Sequence, residues 1–515
     1  MMIKTPFFAR LLSCIVMCVA ITVVRGDEPA GTKPIDIGSR RELFVDQYLI
    51  DTLQGGARLV LHRPTPREIS LTHDEPWEGN VSGIATIFRD GNIYRMYYCA
   101  GNSHPKTRLY SNEEVICYAE SQDGILWTKP QMGIVEFDGS KKNNIILVGC
   151  NPHGSEYGEG LLPDYKARAL PNLPVKALRV ACNFTPFKDP NPECQPAARY
   201  KAIGGFAPPY PVGTGGLWTF QSADGIRWEP MRDGPVNIKG VFDSQNVAFW
   251  DATRKEYLAY FRLAHSGVRA IATCTSRDFL QWTETVHLEY DVDTPNEQLY
   301  TNAVLPYHRA PHLYLGFPTR FSEGRGSIQG LTEGLFMSSR DGVHFHRWAE
   351  AFIPPGQNKD KWGNRSNYIW WGLVETKSDL PGASPELSLY TNEHYYTDGG
   401  PRTRRYTLRQ DGFVSVNAPF AGGEFTTKPF SFTGQALEIN YATSAAGGLR
   451  VEVQNTDGKA VSGFALDDCP EMFGDEIEGV VLWKDGSDVS ALAGKPVRLR
   501  FVMKDADLYA IRFRQ

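Results

Sequence analysis

A short motif that occurs five times constrains the fold of this chain more than any other feature. Residues 121–127 read Ser-Gln-Asp-Gly-Ile-Leu-Trp. Asp-Gly pairs favour tight hairpin turns, and the closing aromatic ring can pack between neighbouring sheets. The self-similarity therefore predicts a repeat architecture built from one hairpin unit. The other copies lie at residues 222–228, 276–282, 339–345 and, in a shortened form, 409–413.

Two strand-like segments precede each hairpin, so each unit has four strands, A to D, with A innermost. Four-stranded units repeated around an axis predict an all-β fold, a five-bladed β-propeller. An aromatic strand B is predicted at residues 93–99, 200–206, 256–263, 312–317 and 385–391. Strand A is predicted at residues 81–88, 180–187, 246–250, 303–307 and 368–374.

The spacing of the motif also predicts the domain organisation. We assign residues 63–420 to the propeller, with an insertion at 130–178 where two copies are unusually far apart. Residues 27–62 are expected to close the ring by pairing with the last blade. Residues 421–515 alternate apolar and polar positions without the motif, which predicts a C-terminal β-sandwich.

The first 26 residues have the order of a secretory signal peptide. Lys4 and Arg10 precede an apolar run from Leu11 to Val24, which is too short to span a bilayer and ends just before Gly26. We therefore expect a secreted or periplasmic protein without a membrane span after cleavage. The formal net charge of −5, with acidic and basic residues interspersed, excludes a nucleic-acid partner.

Cysteine usage does not indicate a disulfide scaffold or a zinc site. Of nine cysteines, two fall in the signal peptide, which leaves an odd number without CxxC spacing. Cys99 and Cys117 lie on predicted neighbouring strands and could either form a disulfide or remain buried free thiols.

Strand topology separates the acidic residues into two groups. In an antiparallel blade the A-to-B and C-to-D turns lie on one face, so we assign their aspartates, such as Asp123 and Asp189, to turn stability. The starts of the A strands and the B-to-C loops lie on the other face, where the inner strands converge. We predict the ligand pocket at that face.

The candidate site combines carboxylates with amides, arginines and histidine, the groups that bind polyhydroxylated sugars. Glycosidic cleavage requires one carboxylic acid and one carboxylate, and the predicted catalytic residues are Glu78, Asp243 and Glu297. The predicted substrate-binding residues are Asn80, Asn183, Asn246, His265, Arg320, Arg365 and Glu393.

No metal or other cofactor is predicted. The oxygen-rich segment at residues 291–297 could hold calcium, but it lacks the glycine of an EF-hand loop. The chain contains neither a P-loop nor a GxSxG motif, which argues against phosphoryl transfer and serine-hydrolase chemistry.

The motif at residues 276–282, Ser-Arg-Asp-Phe-Leu-Gln-Trp, is similar to one in the five-bladed propeller glycosidases of glycoside hydrolase families 32 and 43. Residues 42–51 and the Trp-Glu-Gly-Asn at 77–80 also resemble secreted bacterial proteins grouped with family 32. The resemblance implies a blade-one nucleophile or base, a blade-two aspartate stabiliser and a general-acid glutamate from a later blade. Residues 77–80 replace the family's Trp-x-Asn-Asp-Pro, and Lys188-Asp189-Pro190, which imitates the stabiliser motif, falls on the predicted turn face.

These observations lead to one main hypothesis and two alternatives. The main hypothesis is a secreted glycoside hydrolase that cleaves oligo- or polysaccharides in the central pocket. The first alternative is a propeller that binds carbohydrate without catalysis. The second is a glycan phosphorylase, in which Arg262, His265 and Arg320 would bind phosphate.

Overall fold

The computed structural model describes residues 33–102, 114–148, 183–206, 216–363, 366–395, 397 and 400–515. Every regular element in these ranges is a β-strand or a single 3-10 turn, so the prediction of an all-β protein is confirmed. Within the same ranges, no helix is long and apolar enough to cross a membrane. The 3-10 turns are Gly79–Val81, Pro196–Ala198, Lys359–Lys361, Leu466–Asp468 and Ser490–Leu492.

Five short strands occupy the N-terminal part of the described chain. They are β1 (Ile35–Gly38), β2 (Glu42–Leu43), β3 (Ile50–Gln54), β4 (Arg58–Leu61) and β5 (Thr65–Thr72).

The first three repeat copies form three separate antiparallel sheets of four strands each. Sheet 1 contains β6 (Gly83–Asp90), β7 (Ile93–Ala100), β8 (Val115–Ser121) and β9 (Ile145–Val148). Sheet 2 contains β10 (Thr185–Lys188), β11 (Tyr200–Phe206), β12 (Gly216–Ser222) and β13 (Glu229–Pro230). Sheet 3 contains β14 (Val247–Asp251), β15 (Glu256–His265), β16 (Val268–Ser276) and β17 (Val286–His287).

The fourth copy is longer, because its central hairpin continues beyond the sheet as a second, three-stranded sheet. Its strands are β18 (Glu289–Tyr290), β19 (Gln298–Leu299), β20 (Leu305–Tyr307), β21 (Ala310–Gly316), β22 (Thr319–Arg325), β23 (Ile328–Gly334), β24 (Met337–Ser339) and β25 (His344–Arg347). Strands β19, β22 and β23 form the extension, and the other five form sheet 4.

The fifth copy recruits its fourth strand from the N-terminal part of the chain. Sheet 5 contains β26 (Val374–Thr376), β27 (Glu386–Glu393) and β28 (Arg402–Leu408), and β5 pairs with β28. The remaining strands are β29 (Val414–Ala418), β30 (Gly423–Thr427), β31 (Phe430–Phe432), β32 (Ala436–Gln454), β33 (Asp475–Val480) and β34 (Arg498–Arg514).

The prediction that residues 27–62 close the ring is wrong for the part that the structure describes. Strands β1 to β4 pair instead with β31, β34, β30 and β29. The reason is that β29, which follows the fifth hairpin motif, enters the C-terminal sheet rather than sheet 5. The vacant fourth position of sheet 5 is taken by β5, so the last sheet joins the two ends of the repeat region.

A second correction concerns the predicted insertion at residues 130–178. Strand β9 lies within that range and pairs with β8 as the outer strand of sheet 1. The sequence indicates β9 only weakly as a strand, because β9 is a short, entirely buried run of four apolar residues without a turn motif beside it. The rest of the insertion from residue 149 onward lies outside the described residues.

The repeated Ser-x-Asp motif forms the hairpin turn that the sequence predicts. The Asp123 carboxylate accepts hydrogen bonds from the backbone N–H groups of Ile125 (2.8 Å) and Leu126 (2.9 Å), and Ser121 Oγ accepts from Gly124 N at 2.8 Å. The same pattern recurs at Asp224, Asp278 and Asp341. These carboxylates are engaged in turn geometry, as expected from local sequence alone.

Tyrosine hydroxyl groups connect each of the first sheets to the next. Tyr200 donates to Asp90 at 2.6 Å, and Tyr257 donates to Asp189 at 2.7 Å. Tyr314 donates in the same way to Asp251. Each aspartate ends strand A of one sheet, and each tyrosine lies on strand B of the following sheet.

Two further contacts continue the succession through sheet 5 and back to sheet 1. Trp371, just before β26, donates its indole N–H to the carbonyl of Val304 at 2.8 Å. Tyr94 of sheet 1 donates to the carbonyl oxygen of Glu375 at 2.6 Å. The five sheets therefore contact one another in the order of the sequence, and the fifth contacts the first.

Candidate functional site

The segments that open the inner strands meet around one buried side chain, Gln245. Its Nε2 donates to the carbonyl of Ala85 in sheet 1 at 2.8 Å, and its Oε1 accepts from the backbone N–H of Trp371 at 3.2 Å. Asn302, before sheet 4, donates to the Gln245 carbonyl at 3.1 Å. Gln245 lies just before β14, so four of the five sheets are tied together at this point.

A cavity of about 560 Å³ opens at the turn end of the inner strands. We predicted the pocket at the opposite end, so this cavity is a correction to the expectation that the A-to-B turns stay away from any pocket. Its walls are mainly apolar, and charged turn residues surround them. They include Phe187, Lys188, Asp189, His308, Trp371 and Glu375.

Asp189, which imitates the stabiliser motif of the resembled families, lies at this turn end as predicted from strand register. Its carboxylate is buried and forms an ion pair with Lys201, and it accepts the hydrogen bond of Tyr257. Because these partners belong to sheets 2 and 3, Asp189 connects sheets.

At the other end, Glu78 is fully buried and both of its carboxylate oxygens are engaged. Oε1 accepts from the Tyr98 hydroxyl at 2.5 Å, and Oε2 lies 2.7 Å from Lys129 Nζ. Burial by itself raises the pKa of Glu78, but neighbouring His73 and Lys129 outweigh it and lower the pKa to about 2. This geometry favours a structural anion over a group that exchanges protons with a ligand.

Asp243 is the predicted catalytic residue that keeps an accessible carboxylate. About a third of its side chain is exposed (35%), and it forms an ion pair with the buried guanidinium of Arg262 on β15. Nη1 of Arg262 is buried and has no hydrogen-bond partner among the described residues. The pair lies where the chain enters sheet 3, directly before Gln245.

Aromatic rings extend from this ion pair toward sheets 5 and 1. The Arg262 guanidinium lies 4.8 Å from the ring centroid of Tyr300. Tyr300 stacks on Tyr368, with centroids 5.6 Å apart and ring planes 17° from parallel. Tyr368 in turn contacts Trp370 edge-on, and Tyr395 follows. Tyr368 and Trp370 are buried, and only Tyr300 and Tyr395 at the two ends of the row are partly exposed.

Glu114 completes this end of the molecule, although sequence reasoning did not select it. It directly precedes β8 and is partly buried, and its carboxyl group is in hydrogen-bonding contact with the Cys99 thiol. That thiol also contacts the backbone N–H groups of Asn183 and Phe184. Burial raises the pKa of Glu114 to about 7, although the Cys99 hydrogen bond acts in the opposite direction.

Asn183 links Glu114 to Asp243 through a chain of contacts. Its backbone N–H contacts the Cys99 thiol, which in turn contacts the Glu114 carboxyl group. Its side-chain amide donates to the carbonyl oxygen of Phe242 at 3.0 Å, and Phe242 directly precedes Asp243. Asn246 donates to the same carbonyl at 3.2 Å. Both asparagines were predicted to bind substrate, but the Asn183 amide instead joins sheet 2 to sheet 3, and the Asn246 amide holds the segment that leads into its own strand. Glu114 and Asp243 therefore flank the start of sheet 2 from its two sides.

Glu297 and Arg320 lie away from the inner strands. Glu297 precedes β19 of the extension and forms ion pairs with Arg320 at 2.9 Å and with Arg347 at 2.7 Å. Arg347 is on β25, an outer strand, and Arg320 is also paired with Glu333 at 2.8 Å. The extension displaces Glu297 from the position that its sequence distance from strand A predicts.

The remaining predicted substrate-binding residues are not brought together. His265 is exposed and contacts His287, with ring centroids 4.1 Å apart and ring planes tilted by 41°. Glu393 is buried and paired with Arg402 and Arg404 at 2.9 and 2.6 Å. Asn80 lies in the 3-10 turn after Glu78, and Arg365 lies outside the described residues.

Within the described ranges, no group of three or more His, Cys, Asp or Glu side chains could hold a metal ion. In the segment considered for calcium, Asp291 contacts His346 and Glu297 is held by arginines, so its oxygens do not converge. Cys99 and Cys117 are both buried free thiols. Cys117 is paired in register with Tyr98, the neighbour of Cys99, so the two thiols point to opposite faces of the sheet.

Comparison with known proteins gives structural neighbours only. No family model and no curated protein matches the sequence. One solved structure, a glycoside hydrolase, has 14% identity over 67% of this chain and 92% of its own, with a TM-score of 0.40. The catalytic domain of a GH62 α-L-arabinofuranosidase from Coprinopsis cinerea has 10% identity over 67% and 97%, with a TM-score of 0.38.

A third neighbour comes from the GH130 family of mannoside phosphorylases, which contains hydrolases that target β-1,2 mannosidic linkages in Candida mannan. It has 12% identity over 71% of this chain and 95% of its own, with a TM-score of 0.38. Likeness at this level carries no conclusion about function, which has to be argued from the residues of this chain.

Proposed function

We propose that this protein is an exported glycoside hydrolase that cleaves oligo- or polysaccharides at the end of the repeat sheets where the inner strands begin. One observation carries the proposal. A carboxyl group with a raised pKa, Glu114, and an ion-paired carboxylate, Asp243, flank the start of one inner strand and are linked through Asn183. This is the pairing of an acid with an anion that glycosidic cleavage requires.

The proposal includes the fold that would frame the site. We interpret the five sheets as the blades of a five-bladed propeller, and the C-terminal strands as a β-sandwich. The contacts of Tyr94, Tyr200 and Tyr257 across sheet boundaries support the first interpretation. The proposal that the protein is exported is based on the sequence of residues 1–26. The similarity to families 32 and 43 is based on the motifs at residues 276–282, 42–51 and 77–80.

Each carboxyl group has a distinct chemical role in this scheme. Glu114, protonated below about pH 7, donates its proton to the oxygen of the leaving sugar. Asp243 acts as the base or nucleophile, and Arg262 orients it. Tyr300, which lies between the Arg262 guanidinium and the ring of Tyr368, keeps Arg262 in place beside Asp243. Glu78 and Glu297, the other two predicted catalysts, have no role in this scheme, because Glu78 is fully buried and both oxygens of Glu297 are held by arginines.

A second candidate function is carbohydrate binding without catalysis. The specific observation in its favour is that all three acids selected from the sequence, Glu78, Asp243 and Glu297, form ion pairs with cations of the same chain. A phosphorylase is less supported, because Arg262 and Arg320 are paired with carboxylates and His265 contacts a second histidine.

The deciding experiment is a released-sugar assay of the mature protein on a panel of oligo- and polysaccharides, with and without inorganic phosphate. We expect phosphate-independent product formation, with kcat lowered at least about 100-fold in Asp243→Asn and Glu114→Gln. Glu297→Gln is the matched control, because it removes a carboxylate that is already held by two arginines. Binding of a glycan without any product would favour the second function, and activity unchanged in both site variants would refute the assignment of the site.

A further inference from the structure

The C-terminal strands carry a second concave site, a groove of about 650 Å³. Its floor is formed by the main chain of β30, β32 and β34, and its walls are the turn after β3 and the segment around residues 466–471. The polar side chains that line the groove include Gln54, Arg450, Glu471 and Lys504.

Glycines make this face concave. A Cβ atom at Gly448 would meet the Cγ and Oε1 atoms of Glu471 at 2.8 Å, so the carboxylate of Glu471 lies directly over the bare strand. Across the groove, a Cβ at Gly423 would approach the backbone nitrogen of Ala57 at 2.9 Å. The glycines therefore allow Glu471 and the turn at Ala57 to lie close against the floor of the groove, one on each side.

Strand register places several polar groups on the same face. Arg450 and Glu424 both lie opposite Val502, and Lys504 follows two residues later on the same strand. Glu424 is occupied by Arg500, at 2.6 Å. Among the described residues, Arg450, Glu471 and Gln54 have no hydrogen-bond or ion-pair partner for their side chains. Three polar groups with unused capacity therefore line one groove.

Their chemistry limits the ligand. Arg450 supplies a planar fork of donors, Glu471 accepts, and Gln54 does both. The single free carboxylate beside the cations argues against a polyanion such as nucleic acid. Phe420, 62% exposed, lies next to the groove with Lys504 Nζ 4.5 Å from its ring centroid. Donors, acceptors and an exposed ring are the recognition set for a polyhydroxylated chain.

We propose that this groove is a non-catalytic binding site for a glycan chain, separate from the proposed catalytic site. It shares with the proposed function only the class of ligand. The groove holds the polysaccharide through Arg450 and Glu471, so that the repeat sheets work on a chain that the C-terminal strands retain.

The test is native affinity electrophoresis of the mature full-length protein through gels that contain soluble polysaccharides. Arabinoxylan, β-mannan, pectic galactan, inulin and polygalacturonate are the probes. We expect retardation by at least one neutral polysaccharide, and about tenfold weaker binding in Arg450→Ala and Glu471→Gln. Arg232→Ala, which removes an exposed arginine far from the groove in sequence, is the control and should bind as the wild type does. Thermal unfolding of each variant confirms that the fold is retained.

Several results overturn the proposal. They are the absence of retardation on every polysaccharide, retardation that Arg450→Ala and Glu471→Gln leave unchanged, and retardation lost in Asp243→Asn but kept in Arg450→Ala. The two proposals fail in different ways, because a protein that is not a hydrolase releases no sugar yet is still retarded by a working groove. A hydrolase without a working groove forms product, and its retardation is the same in Arg450→Ala and Glu471→Gln as in the wild type.

Discussion

The side-chain amide of Gln245 lies 2.8 Å from the carbonyl oxygen of Ala85, across the point where the inner strands of the repeat sheets meet. Gln245 is completely buried, and its other amide atom accepts a hydrogen bond from the backbone of Trp371. One side chain therefore satisfies main-chain groups of two other sheets, groups that would be costly to leave without partners.

Replacing Gln245 by leucine should lower the free energy of unfolding by about 2–4 kcal/mol, because it leaves a buried carbonyl and a buried N–H without partners. Urea denaturation followed by tryptophan fluorescence measures the effect. Gln281→Leu, at an exposed position in the third hairpin motif, is the control and should change stability by less than about 0.5 kcal/mol. Equal stability of the two variants would contradict the role of Gln245.

The pH dependence of catalysis tests Glu114. Burial raises its pKa to about 7, so the group carries its proton below that pH and loses it above. As a general acid it should make kcat/KM fall about tenfold per pH unit above pH 7. Glu114→Gln should remove this limb and lower activity at pH 6 by about 100-fold or more.

The control for Glu114 is Glu120→Gln, at the opposite end of the same strand. It should keep the wild-type pH profile. An alkaline limb that survives in Glu114→Gln would assign the titrating acid to another residue.

The stability of the protein in acid tests the structural role of Glu78. Its pKa is lowered to about 2, below that of an ordinary glutamate, so folding favours the ionised form. The stabilisation is complete above about pH 5 and is lost as the pH falls toward 2, a change of up to about 3 kcal/mol. Glu78→Gln should lack this part of the acid dependence and should be less stable at pH 7. Unfolding curves at pH 7, 5 and 3 measure it.

Glu193→Gln, an exposed glutamate, should keep the full acid dependence. If Glu78→Gln were as stable as the wild type but inactive, a catalytic role would replace the structural one.

The closure of sheet 5 can be tested at Arg405. This fully buried arginine on β28 forms two hydrogen bonds to Glu68 on β5, at 2.5 and 3.1 Å. Arg405→Met removes the cation that joins the N-terminal strand to the last sheet, and should lower the free energy of unfolding by about 3–5 kcal/mol. Limited proteolysis should then cut the chain near residues 63–72 earlier than in the wild type.

Arg402→Met is the comparison for Arg405. Its pairing partner is Glu393 on the neighbouring strand, so it should leave β5 protected. Identical cleavage patterns in the two variants would contradict the role of Arg405 in closure.

Substitution of Arg262 is the most direct test of how Asp243 is positioned. Arg262→Met should lower kcat/KM by about 10–100-fold, because the Asp243 carboxylate loses its orienting cation. Because Arg262 is buried, the variant should also unfold at a lower midpoint, so kcat/KM is measured at a temperature where thermal unfolding shows it fully folded. Arg262→Lys keeps the charge and should recover part of the activity. Arg277→Met, an exposed arginine in the third hairpin motif, should behave as the wild type.

Local sequence was sufficient wherever a feature depends on neighbouring residues. The hairpins at Asp123 and Asp224 form because a serine and an aspartate two residues apart can satisfy the backbone N–H groups of one turn. The position of an aromatic segment upstream of each hairpin likewise identifies strands such as β11, whose predicted bounds agree with the structure. Asp243, which the sequence places at the start of strand A, keeps about a third of its side chain exposed, and its catalytic role stays a prediction.

Contacts between distant segments decided the rest. Glu297 has the right spacing from strand A, yet the β22–β23 extension of sheet 4 carries Arg320 to it. Glu114 lies in a B-to-C loop, a segment that the strand topology assigns to the pocket face, but nothing local in the sequence shows that folding buries its carboxyl group beside Cys99 and raises its pKa. The pairing of β5 with β28 in sheet 5 accompanies the pairing of β29 with β34 in the C-terminal sheet, and both are contacts between distant ends of the chain.

The sequence by itself therefore determined the repeat unit, its turns and the all-β class, because these follow from hydrogen bonds within a few residues. Only the tertiary structure decided which acids are exposed, which are paired and which are protonated. The charge of a carboxyl group depends on burial and on the cations that folding brings to it, as the contrast between Glu78 and Glu114 demonstrates.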